Sequence, residues 1–353
     1  MTKFLRIIGL ITVLLVLVKS LSFFTYDYTE TDDRSFREAF NKDYGIYALD
    51  LPEDITLAGE FIPFEDPDIY ERFDREMLVN TYWQSQTLLF FKRANRYFEI
   101  IEPILKEHNV PDDFKYLSLI ESGFMNVVSP AGAVGFWQIL KSTGKEYGLE
   151  INEQVDERYN VEKSTHAACK YLKEAYAEFN SWILAAASYN MGISGVKRQL
   201  ERQNANSYFD LTLNSETARY VFRILAIKEL MENPKKYGFN FRKKDLYQPI
   251  PTQTIKLDSS VTDFGLWAQN VGVNYRILKY HNPWLRQEYL KNSSGKSYFI
   301  KIPKKGHYWI DEMLISRDSA NHHKSNDSIP VLDNTSESSQ DQDSTAISRD
   351  TVQ

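Results

Sequence analysis

The sequence predicts a mainly α-helical chain that ends in a small α+β module of βααβ order. Three observations carry this. Apolar residues recur at helical spacing through much of residues 59–245. Several of those stretches open at Asp-Pro, Pro or Ser and stop at Gly or before Pro. Residues 249–306 then change character, with strand-like text at both ends and helical text between.

Lys3 and Arg6 precede an apolar run from Ile7 to Val18, a basic region followed by a hydrophobic one. The run is shorter than the roughly 20 residues needed to span a bilayer. Cleavage after Ser20, and an uncleaved anchor extended through Leu21, Phe23 and Phe24 with Lys19 snorkelling, both remain open. No cysteine follows the run, which excludes lipoprotein processing. Residues 1–24 are therefore expected to be a signal peptide or N-terminal membrane anchor, and the body to be exported. Residues 25–58 mix charges, tyrosines and Pro52 without a period and read as a linker.

Asp66-Pro67 opens a helix carrying Ile69, Phe73 and Met77 on one side. Thr87 to His108 reads as a second helix, which Pro103 should kink or divide. Pro111 opens a third, with Phe114, Leu117 and Ile120 at helical spacing and a stop at Gly123. Ser142 to Tyr147 gives a short turn closed by Gly148. Val161 to Phe179 is amphipathic, with Ala168, Tyr171, Leu172, Ala175 and Phe179 facing inward. The lone cysteine, Cys169, is expected to be buried on that helix. Ser181 to Met191 begins apolar all round, as in a central buried helix. Ser215 to Glu232 is amphipathic again and ends before Pro234. In the last segment, Thr254–Leu257 and Ser297–Ile302 read as strands, Thr262–Val271 and Val273–Tyr280 as helices.

The chemistry centres on Tyr116 to Phe124. Stopping the helix at Gly123 leaves Glu121 in its last turn, facing the negative end of the helix dipole, which disfavours ionisation. Aromatic neighbours that exclude water would hold the proton more tightly. A carboxylic acid that keeps its proton near neutral pH is what protonating a leaving oxygen requires. An isolated glutamate there would read as a solvated helix end; the neighbourhood changes that. Ser129-Pro130-Ala131-Gly132 suits a type I turn, and Gly135-Phe136-Trp137-Gln138 places an aromatic ring beside an amide. Tyr189-Asn190 ends the central helix just before Gly192. Glu216 and Tyr220, four residues apart, share one helix face.

Together these segments resemble the family 1 lytic transglycosylases, which have a lysozyme-like fold. Glu121-Ser122 is similar to their catalytic glutamate-serine pair. Gly135-Phe136-Trp137-Gln138 is similar to their Gly-Leu-Trp/Met-Gln segment, with Phe136 in place of Leu. Ser188-Tyr189-Asn190-Met191-Gly192 resembles their Ala-Tyr-Asn-x-Gly motif, and Glu216-Thr217-Ala218-Arg219-Tyr220 their Glu-Thr-x-x-Tyr. The resemblance implies a lysozyme-like catalytic domain at 59–245 that cleaves the bond between N-acetylmuramic acid and N-acetylglucosamine in peptidoglycan. Glu121 would be its single acid and base. It further implies that Ser122, Ser129, Gln138, Tyr189, Asn190, Glu216 and Tyr220 bind substrate, with Tyr220 approaching the acid. Residues 249–306 resemble a LysM module, a glycan-binding unit. The usual Gly-Asp-Thr after its first strand is absent, with Asp258 to Thr262 in its place, so a packing module without ligand stays open.

Composition bounds the alternatives. With 353 residues, 42% hydrophobic and 25% charged, the chain suits two modest globular domains. A net charge of −6 and the lack of a basic block argue against nucleic acid as a partner. Aromatics at 14% suit both carbohydrate stacking and ordinary packing. From Ser316 the chain is rich in Ser, Asp, Asn and Gln, and residues 316–353 read as a disordered tail. His322-His323 there read as solvated. No metal or other cofactor is implied. Expected partners are peptidoglycan strands and, through residues 1–24, an inner or outer membrane, at a periplasmic location. Asp156 and Glu216 remain as candidate second carboxylates. The rival readings are a lysozyme-type hydrolase on the same scaffold and a non-catalytic wall-binding protein.

Overall fold

The computed structural model describes residues 46–308 together with Ser35, and divides the chain into two compact units. The leader at 1–24, the linker up to residue 45 apart from Ser35, and the tail at 316–353 with His322 and His323 lie outside the described residues. Among the described residues no helix is long and apolar enough to cross a membrane. The first unit runs to Ile250 and takes in Asn282–Leu290; the second holds Pro251–His281 and the residues from Lys291 onward.

The first unit opens with a short antiparallel hairpin, β1 (Thr56–Leu57) and β2 (Glu60–Phe61). This corrects the reading of 25–58 as linker at its C-terminal end. Ile55 and Leu57 are buried, Lys228 Nζ donates to the Thr56 carbonyl at 2.9 Å, and the Ala58 N–H donates to Asp113 Oδ2 at 2.7 Å. Two-residue strands are too short to leave a detectable period.

Helix α1 (Pro67–Tyr82) starts at Asp66, whose carboxylate accepts from the Asp68 N–H at 2.9 Å. Helix α2 (Gln84–Glu107) runs undivided through Pro103, against expectation. Pro103 cannot donate to the Glu99 carbonyl, but both residues are exposed and water can serve that oxygen. Helix α3 (Phe114–Ser122) follows, then α4 (Lys141–Glu146). Helix α5 (Val161–Phe179) is capped by Asn160 and α6 (Trp182–Met191) by Ser181. Cys169 is fully buried on α5, which pushes its thiol up to about 12, leaving it unreactive. Ile183 to Ser188 of α6 are all buried, as an all-round apolar segment requires.

Helix α7 (Ile193–Gln203) has no counterpart in the sequence reading, and within it only Gly195 and Val196 are buried. In α8 (Ser215–Glu232) the cap is Asn214, whose Oδ1 accepts from the Glu216 and Thr217 N–H groups at 3.0 Å each. Helix α1 packs along α8, α2 along α5, and α6 against α5, α7 and α8. The short α3 lies against both α2 and α8.

The second unit pairs β3 (Thr252–Leu257) antiparallel with β4 (Tyr298–Pro303), in a register from Thr252↔Pro303 to Leu257↔Tyr298. Between them come α9 (Phe264–Asn270), capped by Asp263, and α10 (Tyr275–His281). Phe264, Ala268, Ile277, Leu278, Ile300 and Ile302 are among its buried apolar residues, drawn from both the helices and the strands. Asn282–Leu290, although inside the 249–306 span, belongs to the first unit. There Leu285 bridges Val155, and the Arg286 N–H donates to the Gln154 carbonyl at 2.8 Å.

Replacing Pro103 by Ala restores an interior helix donor, so this variant should gain about 1–3 kcal/mol of stability. Urea denaturation checks the gain; a loss would mean that the proline ring is packed rather than tolerated.

Candidate active site

Glu121 stands where two physical constraints meet, a helix end and a shortage of water. Helix α3 begins with three i to i+3 bonds, from the Phe114, Lys115 and Tyr116 N–H groups to the Pro111, Asp112 and Asp113 carbonyls. Gly123, at φ +59°, ends it in the left-handed conformation. The carbonyls freed there are taken by guanidinium groups from both neighbouring helices. Arg223 Nη2 of α8 donates to the Ile120 carbonyl at 3.1 Å, and Arg93 Nη1 of α2 to the Gly123 carbonyl at 3.0 Å. The segment that carries Glu121 is thus pinned from two sides.

The Glu121 carboxyl is half-buried, and Tyr220 donates its phenolic hydroxyl to Oε1. Burial raises the carboxyl above its ordinary value of 4.5; the Tyr220 hydrogen bond and the Arg223 charge oppose that, and Glu216 adds to it. Desolvation is the main cause, as the sequence reading supposed for its aromatic neighbours. The same carboxylate, after burial, drives the Tyr189 and Tyr220 phenols well above their ordinary range. Both tyrosines therefore stay protonated and act as hydrogen-bond donors around the acid.

The segment after α3 folds back as a tight loop. Gly132 N–H donates to the Ser129 carbonyl at 2.9 Å, closing the expected four-residue turn, and Val134 pairs with both Val128 and Ile139. Gly135 is obligatory, since it holds φ +79° and an added Cβ would sit 2.2 Å from the Arg158 carbonyl oxygen. Arg158 braces the loop by donating to the Gly132 and Ile139 carbonyls at 3.1 and 3.2 Å. It is itself held in a bidentate pair with Asp156, at 2.9 and 2.7 Å. Asp156 is buried in that pair, which removes it as a second carboxylate in the site.

Several expected substrate contacts are spent inside the protein. Ser122 is buried; its hydroxyl donates to the Phe136 carbonyl at 2.9 Å and accepts from the Phe124 N–H at 3.1 Å. Ser129 Oγ accepts from the Ala133 N–H at 3.0 Å and shapes the turn. Trp137 is fully buried, donating from its indole to Thr165 Oγ1 at 2.8 Å, and so offers no sugar platform. Gln138 is half-buried at φ +46°, and its amide donates to the Gly135 and Val127 carbonyls at 2.8 and 3.2 Å. Tyr220 is 1% exposed, so it reaches the site through Glu121 alone.

Tyr189, Asn190 and Glu216 do gather. Half-buried Tyr189 donates to the Trp137 carbonyl at 2.8 Å, which ties α6 to the loop. Asn190 Nδ2 donates to exposed Glu216 Oε1 at 3.1 Å, while its Oδ1 accepts from Thr217 Oγ1 at 2.7 Å. That pair of bonds fixes the amide's orientation. Arg223 and Arg93 were missed by the sequence reading, and Thr217, matched there only as part of the Glu-Thr-x-x-Tyr motif, was given no role. For Arg223 a signal existed, because residues 216, 220 and 223 follow one stripe of α8.

Residues 98–211 match the family described as transglycosylase SLT domain, and residues 253–306 the soluble lytic transglycosylase C-terminal LysM-like domain. The chain carries both. It is 29% identical over 262 residues to membrane-bound lytic murein transglycosylase D of Escherichia coli strain K12, and equally so to that of Escherichia coli O6:H1. Each match covers 72% of this chain and 56% of the relative, so the chain spans little more than half the length of either. The X-ray structure of an inactive mutant of lytic transglycosylase Slt from Pseudomonas aeruginosa aligns with a TM-score of 0.34 and 19% identity. That alignment covers 43% of this chain and 26% of the other, too little to support any argument.

The opposing influences on Glu121 give expectations of opposite sign. Tyr220→Phe and Arg223→Gln should each raise the pH at which Glu121 titrates, and Glu216→Gln should lower it. Carbon-13 NMR of labelled glutamate carboxyls reads these shifts directly. A shift of one sign in all three variants would contradict the assignment of causes.

Proposed function

We propose that the chain is a peptidoglycan lytic transglycosylase in which Glu121 serves alone as acid and then as base. The observation that carries this reading is a half-buried carboxyl, raised by desolvation, beside protonated Tyr189 and Tyr220 and the oriented amide of Asn190. Glu121 gives its proton to the glycosidic oxygen between N-acetylmuramic acid and N-acetylglucosamine as the C1–O bond breaks. The resulting carboxylate takes the proton of the muramoyl C6 hydroxyl, and that oxygen bonds to C1. The products are a free N-acetylglucosamine end and a 1,6-anhydromuramoyl end, with no water consumed.

An internal nucleophile acts with the effective concentration of a tethered reactant, so no second carboxylate has to activate water. Glycosidases that use water need such a partner. Asp156 is occupied by Arg158, and Glu216 is bonded to Asn190. This favours the transglycosylase over a lysozyme-type hydrolase. Asn190 and Tyr189 would orient the sugar, while Ser122, Ser129 and Gln138 would act indirectly by holding the loop. Exposed Met125, Val127, Val128 and Leu140 on the loop supply apolar surface for sugar faces. The LysM-like unit would add a second contact to the glycan, and the substrate implies a place in the cell envelope, as the membrane-bound relatives' names suggest.

Digestion of purified sacculi tests the reading. The wild type should release anhydro-ended muropeptides, one water lighter than hydrolytic products. Glu121→Gln should lose about 10²–10⁴-fold in rate while remaining folded. Reducing ends would favour the hydrolase, and sacculus binding without release of soluble products would favour a non-catalytic wall binder.

A further inference from the structure

Away from Glu121, two helices bring together three metal-ligating side chains that nothing above uses. Glu107 is the last residue of α2, His108 caps that helix, and His166 projects from the second turn of α5. One ligand atom from each lies within 4.8 Å of the others, and His108 Nε2 faces His166 Nδ1 at 2.8 Å. We propose that Glu107, His108 and His166 form a binding site for a divalent cation of the zinc class, with remaining coordination positions open to water.

The donor chemistry supports this choice of cation. Two imidazoles with one carboxylate are a ligand set zinc takes at about 2.0–2.2 Å, leaving a fourth position for water. Imidazole-rich sites favour zinc, copper and nickel over magnesium or calcium, which prefer oxygen. Geometry supports it too. Tetrahedral bonds of that length put donor atoms roughly 3.4 Å apart. The two ring nitrogens therefore need to separate by only about half an ångström, a small side-chain rotation. The exposed Glu107 side chain has freedom to close the third bond.

Between the facing nitrogens one ring supplies an N–H and the other a lone pair. A cation would take a lone pair from each, the ring that held the N–H there shifting to the tautomer protonated on its other nitrogen, with no net loss of a proton. Both ring positions are set by packed helices, α2 along α5, so the site is preorganised before any ion arrives. Among the charges around His108, Glu107 favours a cation there, and Lys173 and Lys170 oppose it. Binding would clip the end of α2 to α5, just before the turn at Pro111 that starts the Glu121 helix.

Calorimetric titration of zinc chloride into the metal-stripped protein should give one saturable site and a rise in Tm. His166→Gln should lose both, and Glu107→Gln, a change to an exposed side chain, should weaken both without unfolding the protein. Cobalt(II) should develop the strong visible absorption of a four- or five-coordinate nitrogen and oxygen site. No saturable zinc binding, identical binding in the wild type and both variants, or only the weak spectrum of aqueous cobalt would overturn the proposal.

Discussion

Keeping water from one carboxyl group is the constraint that the rest of the first unit serves. A glutamate at a helix end would ordinarily be solvated and ionised. Glu121 is half-buried and its carboxyl is raised above its ordinary value, because α3 is short, lies against both α2 and α8, and ends where the chain turns back over it. Withdrawing a carboxylate from water is unfavourable, so the fold must hold it in place by other means. Arg93 and Arg223 do this from opposite sides by taking the Gly123 and Ile120 carbonyls. Their positive charge satisfies the helix end, and Arg223 also restrains the rise of the Glu121 carboxyl.

The loop after α3 is the second half of the same device. Val134, Phe136, Trp137 and Ile139 are its buried apolar side chains, and its backbone carbonyls are the fastening points. The Phe136 carbonyl accepts from Ser122, the Trp137 carbonyl from Tyr189, and the Gly132 and Ile139 carbonyls from Arg158. Three side chains from separate parts of the chain therefore agree on one loop position. Gly135 allows the closest approach, against the Arg158 carbonyl. With the loop fixed, Tyr189 sits near enough for the Glu121 charge to raise its phenol. Local chain geometry is thereby converted into the electrostatics of the proposed chemistry.

Much of this was legible in the sequence, for reasons that differ by element. Asp66-Pro67, Pro111 and Gly123 are local signals, and local signals are readable because the physics that produces them involves adjacent residues. The position of Glu121 in the last turn of its helix follows from Gly123 alone. Glu216 and Tyr220 fall on one face because helical periodicity places them there. What escaped depends on which way a side chain faces outside regular structure. The Trp137 ring beside the Gln138 amide is core, and Ser122, expected as a sugar contact, is a strut. A motif names the residues but not the side of the wall on which they stand. The Arg93 bond, the hairpin at Thr56–Phe61 and the approach of His108 to His166 join segments distant along the chain, where no local pattern can announce them.

The central claim is that folding holds a proton on Glu121, and linkage gives its most direct measurement. A carboxyl raised in the folded state contributes stability that is full below the unfolded value and is lost as pH rises through the folded one. Glutamine does not titrate and has nothing to lose. Thermal unfolding of wild type and Glu121→Gln should therefore show a gap in favour of the variant at neutral pH that closes as the solution is made acidic. A gap independent of pH, or one that widens toward acid, would contradict the account.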